Sequence, residues 1–141
     1  MTSDKVKQLV GSWKHESAEN VDAFLKAVGI GMILRKVAST QKPLVKITVD
    51  GDEWHVAIES AFKNHSWNFA LNKRNKITTI DGRTFWATYT DEDGVLVEKQ
   101  ESLEGEKTVP AVTRRWVEGD KLLMTEEANG VVAKRSFTRV A

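Results

Sequence analysis

The sequence predicts an all-β fold: a ten-stranded antiparallel up-and-down β-barrel carrying one short helix–turn–helix. Three observations lead there. From Leu44 onward, apolar and polar residues alternate with the period of two that half-buried strands require. Glycine-bearing turn signals interrupt that alternation at intervals of about 10–14 residues. One stretch near the N-terminus, Asn20 to Ser39, carries a helical period instead. A meander of ten strands left open would expose long edges, so it is expected to curl into a barrel.

Met1 to Val10 reads as a polar N-terminal extension with at most a frayed helical turn. A strand is expected around Gly11 to Ser17. Val21, Phe24, Leu25 and Val28 then fall at i, i+3, i+4 and i+7, with Asn20 as N-cap and Gly29 as stop. A second apolar piece, Met32 to Ala38, follows Gly31 and is ended by Pro43. Val45, Ile47 and Val49 alternate with Lys46 and Thr48 until Asp50-Gly51-Asp52 turns the chain. Trp54, Val56 and Ile58 repeat the pattern, as do Trp67, Phe69 and Leu71. Later turns are signalled at Asp81-Gly82, Asp93-Gly94, Glu104-Gly105-Glu106, Glu118-Gly119-Asp120 and Asn129-Gly130. The last is the strongest, because a type I′ hairpin needs positive φ at both central residues. Residues 11–141 are assigned to one domain.

Composition narrows the function classes. The chain has 141 residues, 29% charged and 40% hydrophobic, which fits one ordinary globular domain. Twenty-one basic and 20 acidic residues leave a net charge of +1, unlike the strongly basic domains that neutralise many phosphates. No nucleic-acid partner is expected. With no cysteine, disulfides, thiol chemistry and Cys-ligated zinc are excluded. No segment has signal-peptide or membrane-spanning character, so a cytoplasmic location is expected. His15, His55 and His65 share no ligand-spaced motif, and no nucleophile elbow, P-loop or dinucleotide fingerprint is present. Neither a metal, a cofactor nor enzyme activity is expected.

The last strand holds the informative anomaly. Val131, Ala133, Arg135 and Phe137 share one face. That face is mostly apolar and should point inward, yet it carries an arginine, which stays charged and needs acceptors. Either Arg135 pairs internally with a carboxylate or lies at the barrel mouth, or it forms a buried cationic site for an anionic headgroup. Two strands earlier, alternation leaves open whether Arg115, with Thr113 and Val117, or Arg114, with Trp116, faces inward.

Several separated motifs resemble the intracellular lipid-binding proteins of the fatty-acid-binding type. Gly11-Ser12-Trp13-Lys14 followed by Glu19-Asn20-Val21-Asp22 and Phe24 resembles the family's N-terminal signature. Gly29-Ile30-Gly31, Arg35-Lys36-Val37-Ala38 and Lys42-Pro43 resemble its helical lid and exit. Glu59-Ser60-Ala61-Phe62-Lys63-Asn64 resembles the portal loop, and Gly130 to Phe137 the final strand. His15, Val21 and Phe137 depart from the pattern, where an aliphatic residue, Phe or Tyr, and a carboxylate-binding Tyr are usual.

The resemblance implies a slightly flattened calycin-type barrel, capped by the two helices, that holds one long-chain fatty acid. Arg115 and Arg135 fall on the family's internal headgroup arginines, which selects Arg115 over Arg114. Without the hydroxyl lost at Phe137, the headgroup is expected to lean on Arg115. Asp81 and Arg83 match polar cavity positions, Phe62 the portal side chain, and Pro43 a ligand-contacting position at the lid exit. Lys26, Arg35 and Lys36 match basic lid positions expected to touch anionic membranes, and the same trio admits a nuclear destination. A monomeric carrier and buffer is implied. Retinoic acid or a broader hydrophobic ligand is the alternative within the fold, whereas retinol carriers usually have glutamine at Arg115.

Overall fold

Ten strands follow one another as hairpins in the computed structural model, which describes residues 3–103 and 108–140. They are β1 (Gly11–Glu19), β2 (Leu44–Asp50), β3 (Glu53–Glu59), β4 (His65–Ala70), β5 (Arg74–Thr78), β6 (Thr84–Glu92), β7 (Val95–Glu101), β8 (Ala111–Glu118), β9 (Lys121–Ala128) and β10 (Val131–Val140). The helices are α1 (Asp4–Lys7), α2 (Val21–Ala27) and α3 (Met32–Thr40). The turn expected at Glu104-Gly105-Glu106 lies outside the described residues. At Asn129-Gly130 both φ angles are positive, 49° and 78°, as the β9–β10 hairpin was expected to require.

The sheet runs β4-β3-β2-β1-β10-β9-β8-β7-β6-β5, so β1 pairs with both β2 and β10 and joins the chain's two ends. Closure is nearly complete. The outer strands β4 and β5 face each other without a ladder, and side chains bridge them. The Asn75 amide accepts from the Ala70 N–H and donates to its carbonyl, both at 3.1 Å, and His65 Nε2 donates to the Thr78 carbonyl at 2.6 Å.

Residues 3–10 are more than a polar extension. Val6 and Leu9, three apart on the turn that α1 begins, are fully buried beside Trp13, Trp54, Phe85 and Tyr89. Each such burial is worth about 1.5–3 kcal/mol. Trp13 Nε1 donates to the Leu9 carbonyl at 2.9 Å, and Arg139 donates to the carbonyls of Gln8 and Val10. The segment plugs the barrel end away from α2.

At the other end α2 lays Phe24, Leu25 and Val28, with Ile30 beyond it, against Ala111, Ala128 and Ala133. Three alanines there let a helix approach the strands closely. Asn20 precedes α2 as expected but does not cap it through its side chain. It adopts φ 60°, and its amide donates to the Val132 carbonyl instead. Helix α3 has no fully buried residue and exposes Met32, Ile33 and Leu34.

Candidate functional site

Four consecutive strands, β7 to β10, set out the polar wall of the interior by register alone. Residues two apart share a face, so Leu96, Glu98 and Gln100 line up on β7, and Thr113, Arg115 and Val117 on β8. Leu122, Met124 and Glu126 do so on β9, and Ala133, Arg135 and Phe137 on β10. Pairing sets Leu96 opposite Arg115, Arg115 opposite Met124 and Met124 opposite Arg135. The next row reads Tyr89, Glu98, Thr113, Glu126 and Ala133. Both inward arginines thus occupy one row and both inward carboxylates the adjacent one.

Diagonal neighbours across such strands lie within reach of long side chains. Arg115 Nη1 donates to Glu98 Oε1 at 2.8 Å, and Arg135 Nε donates to Glu126 Oε1 at 2.7 Å. Gln100 Nε2 donates to the second Glu98 oxygen at 2.8 Å and, at 3.4 Å, to Thr113 Oγ1. Burial works against the Arg115 charge, yet adjacent Glu98 holds its pKa above the ordinary arginine value. Burial, and then the Glu98 charge, push the Tyr89 hydroxyl well above its ordinary value. Tyr89 therefore stays a neutral phenol, with Trp67 Nε1 donating to its oxygen at 3.1 Å.

A second polar group sits beneath the helices. Arg83 grips Asp81 with two bonds, Nε to Oδ1 at 3.0 Å and Nη2 to Oδ2 at 3.1 Å. Its guanidinium lies between the rings of Phe24 and Phe85, 5.8 and 5.7 Å from their centres. Burial raises the Asp81 carboxyl, but the Arg83 bond and charge, with the Thr79 hydroxyl, bring it below its ordinary value. The pair is inward, not part of an exposed turn.

These groups face one cavity of about 200 Å³. Its apolar lining includes Val45, Ile47, Val56, Ile58, Ile77 and Leu122. Arg115, Arg135, Phe137, Asp81, Arg83, Phe62 and Pro43, all singled out in the sequence, line it together. Phe62 stands at the opening, 44% exposed, beside Leu34 and Val37 of α3. Arg114 points outward and pairs with Glu127 at 3.5 Å.

Of the readings open for Arg135, the structure shows internal pairing with a carboxylate: Glu126 pairs with Arg135 and Glu98 with Arg115, both carboxylates buried and inward. Sequence reasoning passed over both carboxylates, although each lies on the apolar face of its strand by the alternation that exposed Arg135. Of the three lid cations, Lys26 and Lys36 are exposed, but Arg35 folds back. It donates to Asp22 Oδ1 at 3.0 Å and to the Ile30 carbonyl at 2.8 Å, with its side chain 15% exposed. Its charge serves the joint between α2 and α3 rather than the surface.

Nothing metal-like accompanies the cavity: among the described residues no cluster of His, Asp or Glu could hold an ion. No helix among them is long and apolar enough to cross a membrane.

Comparison with known proteins agrees with this geometry. The model of the lipocalin / cytosolic fatty-acid binding protein family matches residues 10–139. Fatty acid-binding protein homolog 5 of Caenorhabditis elegans is 41% identical over 94% of this chain and 97% of its own. The crystal structure of apo lipid binding protein 8 from the same species superposes with a TM-score of 0.90 at 32% identity, covering 99% of both chains. A fatty acid binding protein of Schistosoma mansoni in complex with arachidonic acid gives a TM-score of 0.89 at 28% identity, covering 97% of this chain and 99% of its own. By family match, identity and coverage alike, the chain belongs to the lipocalin / cytosolic fatty-acid binding protein family.

Proposed function

We propose that the protein is a non-enzymatic intracellular carrier and buffer of long-chain fatty acids, acting as a monomer. The observation that carries this reading is a largely apolar cavity whose lining includes the Arg115–Glu98 and Arg135–Glu126 pairs. Each buried methylene contributes about 0.8 kcal/mol, so some ten methylenes supply about 8 kcal/mol before association costs. The arginines discriminate among headgroups more than they add affinity, because an unmatched buried charge is expensive. Arg115 is the favoured headgroup partner, since Phe137 offers no hydroxyl beside Arg135. The relative that binds arachidonic acid supports a fatty-acid ligand.

Transfer is proposed to occur at the lid, where Lys26 and Lys36 accompany the exposed Met32, Ile33 and Leu34. Cations draw such a surface to anionic lipid, and apolar side chains can enter the interface. Displacement of a bound fluorescent fatty acid by unlabelled oleate, retinoic acid and retinol tests the ligand class. Oleate should displace at the lowest concentration. Preference for retinoic acid would select the alternative ligand within this fold, and displacement by none of the three would reject the carrier reading.

A further inference from the structure

Among the described residues, the charged side chains lining the cavity are three guanidiniums and three carboxylates. Every one is paired: Arg83 with Asp81, Arg115 with Glu98, Arg135 with Glu126. The interior therefore carries no net charge before any ligand arrives. A carboxylate placed at Arg115 must approach Glu98, and two carboxylates sharing one site do not both stay ionised.

The unpartnered atoms of the described lining are one acceptor and one donor, and the acceptor lies beside Glu98. Among the described residues, only three buried side-chain polar atoms lack a hydrogen-bond partner, and Gln100 Oε1 and Arg83 Nη1 are the two on residues that line the cavity. Gln100 is oriented by its own amide N–H groups, which Glu98 and Thr113 accept, so its oxygen is an acceptor awaiting a donor. An ionised carboxylate has no proton to offer there. An alcohol or an amide has one, whereas the single proton of an acid shared with Glu98 does not reach it.

We propose that the cavity receives its lipid with no net charge, a fatty acid entering with one proton that its carboxylate and Glu98 share. The inference rests on the fatty-acid reading above and specifies the headgroup state. It also makes uncharged long-chain amides good ligands: their N–H suits Gln100 Oε1 and their carbonyl suits an arginine. The proton comes from bulk buffer, and no covalent bond changes.

The neighbouring groups do not take it instead. Facing Glu98 are Tyr89 from β6, which is already protonated, Arg115 from β8, and beyond Thr113 the Arg135-paired Glu126 of β9. Asp81 under the helices is held ionised by Arg83. His15, packed on Phe137, has a pKa lowered by burial and by Arg135 and Lys42, which opposes protonation.

Calorimetric titration with monomeric oleate, repeated in buffers of different ionisation enthalpy near neutral pH, counts protons directly. Uptake of about one proton per oleate is expected, with Kd rising about tenfold per unit of pH above neutrality. Oleamide should bind with no proton exchange and a flat pH profile. The Glu98→Gln variant should bind oleate without proton uptake. Tight binding of oleate by the wild type with no proton exchanged would overturn the inference and leave the carrier reading standing. So would uptake undiminished in Glu98→Gln. Failure of both oleate and oleamide to bind would instead overturn the carrier reading itself.

Discussion

Replacing Glu98 by glutamine should tighten oleate binding while destabilising the empty protein, the opposite of what removing a cavity-wall residue ordinarily does. The Glu98 side chain is 4% exposed, and its two oxygens take the Arg115 and Gln100 donors at 2.8 Å each. Breaking one partner from a buried ion pair typically costs about 3–5 kcal/mol. Here the loss is smaller. A glutamine carbonyl still accepts from Arg115 Nη1, and that guanidinium, 13% exposed, borders a cavity rather than solid core. A stability loss of about 1–2 kcal/mol is expected, since a neutral acceptor replaces a charged one. Oleate returns a carboxylate to the guanidinium, so most of that loss reappears as affinity, on the order of tenfold.

Arg115→Gln inverts the arrangement. It leaves a buried carboxylate without its cation and sets that carboxylate against the ligand's own. Oleate should weaken on the order of a hundredfold. The double variant Glu98→Gln/Arg115→Gln replaces an ion pair by two amides. It should recover much of the stability lost by either single variant, because removing both partners is far cheaper than removing one. Oleyl alcohol should bind the double variant as well as it binds the wild type. Probe displacement gives the affinities and thermal unfolding the stabilities, at about 3–5 °C per kcal/mol for a chain of this size. Arg114→Gln, an exposed outward control, should change either quantity by less than about 0.5 kcal/mol. Equal weakening of oleate by Glu98→Gln and Arg115→Gln would refute the assignment of Arg115 as headgroup partner.

Phe62→Ala should accelerate both uptake and release of the ligand while leaving stability within about 0.5 kcal/mol, because the ring is half-exposed at the opening; stopped-flow transfer shows this, and a large loss of Tm would make Phe62 a core residue. Lys26→Glu/Lys36→Glu should slow transfer to anionic vesicles at low salt, at about 1 kcal/mol of attraction per cation, with equilibrium affinity unchanged. Arg35 is left out of that variant, since its loss would break the bond to Asp22. Burial, with Arg135 and Lys42, lowers the His15 pKa below its ordinary 6.5, so between those two values the unfolded chain binds the extra proton. Stability should therefore fall as pH drops below 6.5, and His15→Leu should flatten that part of the Tm profile. Asp81, whose pKa is depressed below 3.8, acts only at still lower pH and should leave the two profiles parallel there.

How far the sequence reveals this site depends on which interactions are local. Hairpin order, and the type I′ turn at Asn129-Gly130, follow from backbone preferences written into two or three neighbouring residues. The inward face of Arg135 follows from strand periodicity, because Ala133 and Phe137 are fixed inward with it. For Arg115 the same periodicity is ambiguous, since Trp116 is as apolar a neighbour as Val117. Only the pairing of Arg115 with Leu96 and Met124, or a family resemblance, decides it. The carboxylates required one more step. Glu98 lies with Leu96 on an inward face and Glu126 with Leu122 and Met124, so their burial could have been read from alternation alone. Their meeting with the arginines could not. It depends on a register that sets Glu98 opposite Thr113 and Glu126 opposite Ala133, leaving each arginine two residues away on the diagonal. A one-residue slip in either hairpin would put the carboxylate and its arginine on opposite faces.

The same limit hid the N-terminal plug and the Arg35–Asp22 bond. Val6 and Leu9 belong to too short a turn for any period to appear, and Asp22 meets Arg35 only once the two helices have docked. What separates a free cation from a neutralised one is thus long-range for Arg35, Arg115 and Arg135, and local only for Arg83, two residues from Asp81. A family motif that preserves the arginines does not, by itself, preserve the charge a ligand encounters. In this chain that charge is set jointly by Glu98 and Glu126, two residues outside every motif that carries the resemblance.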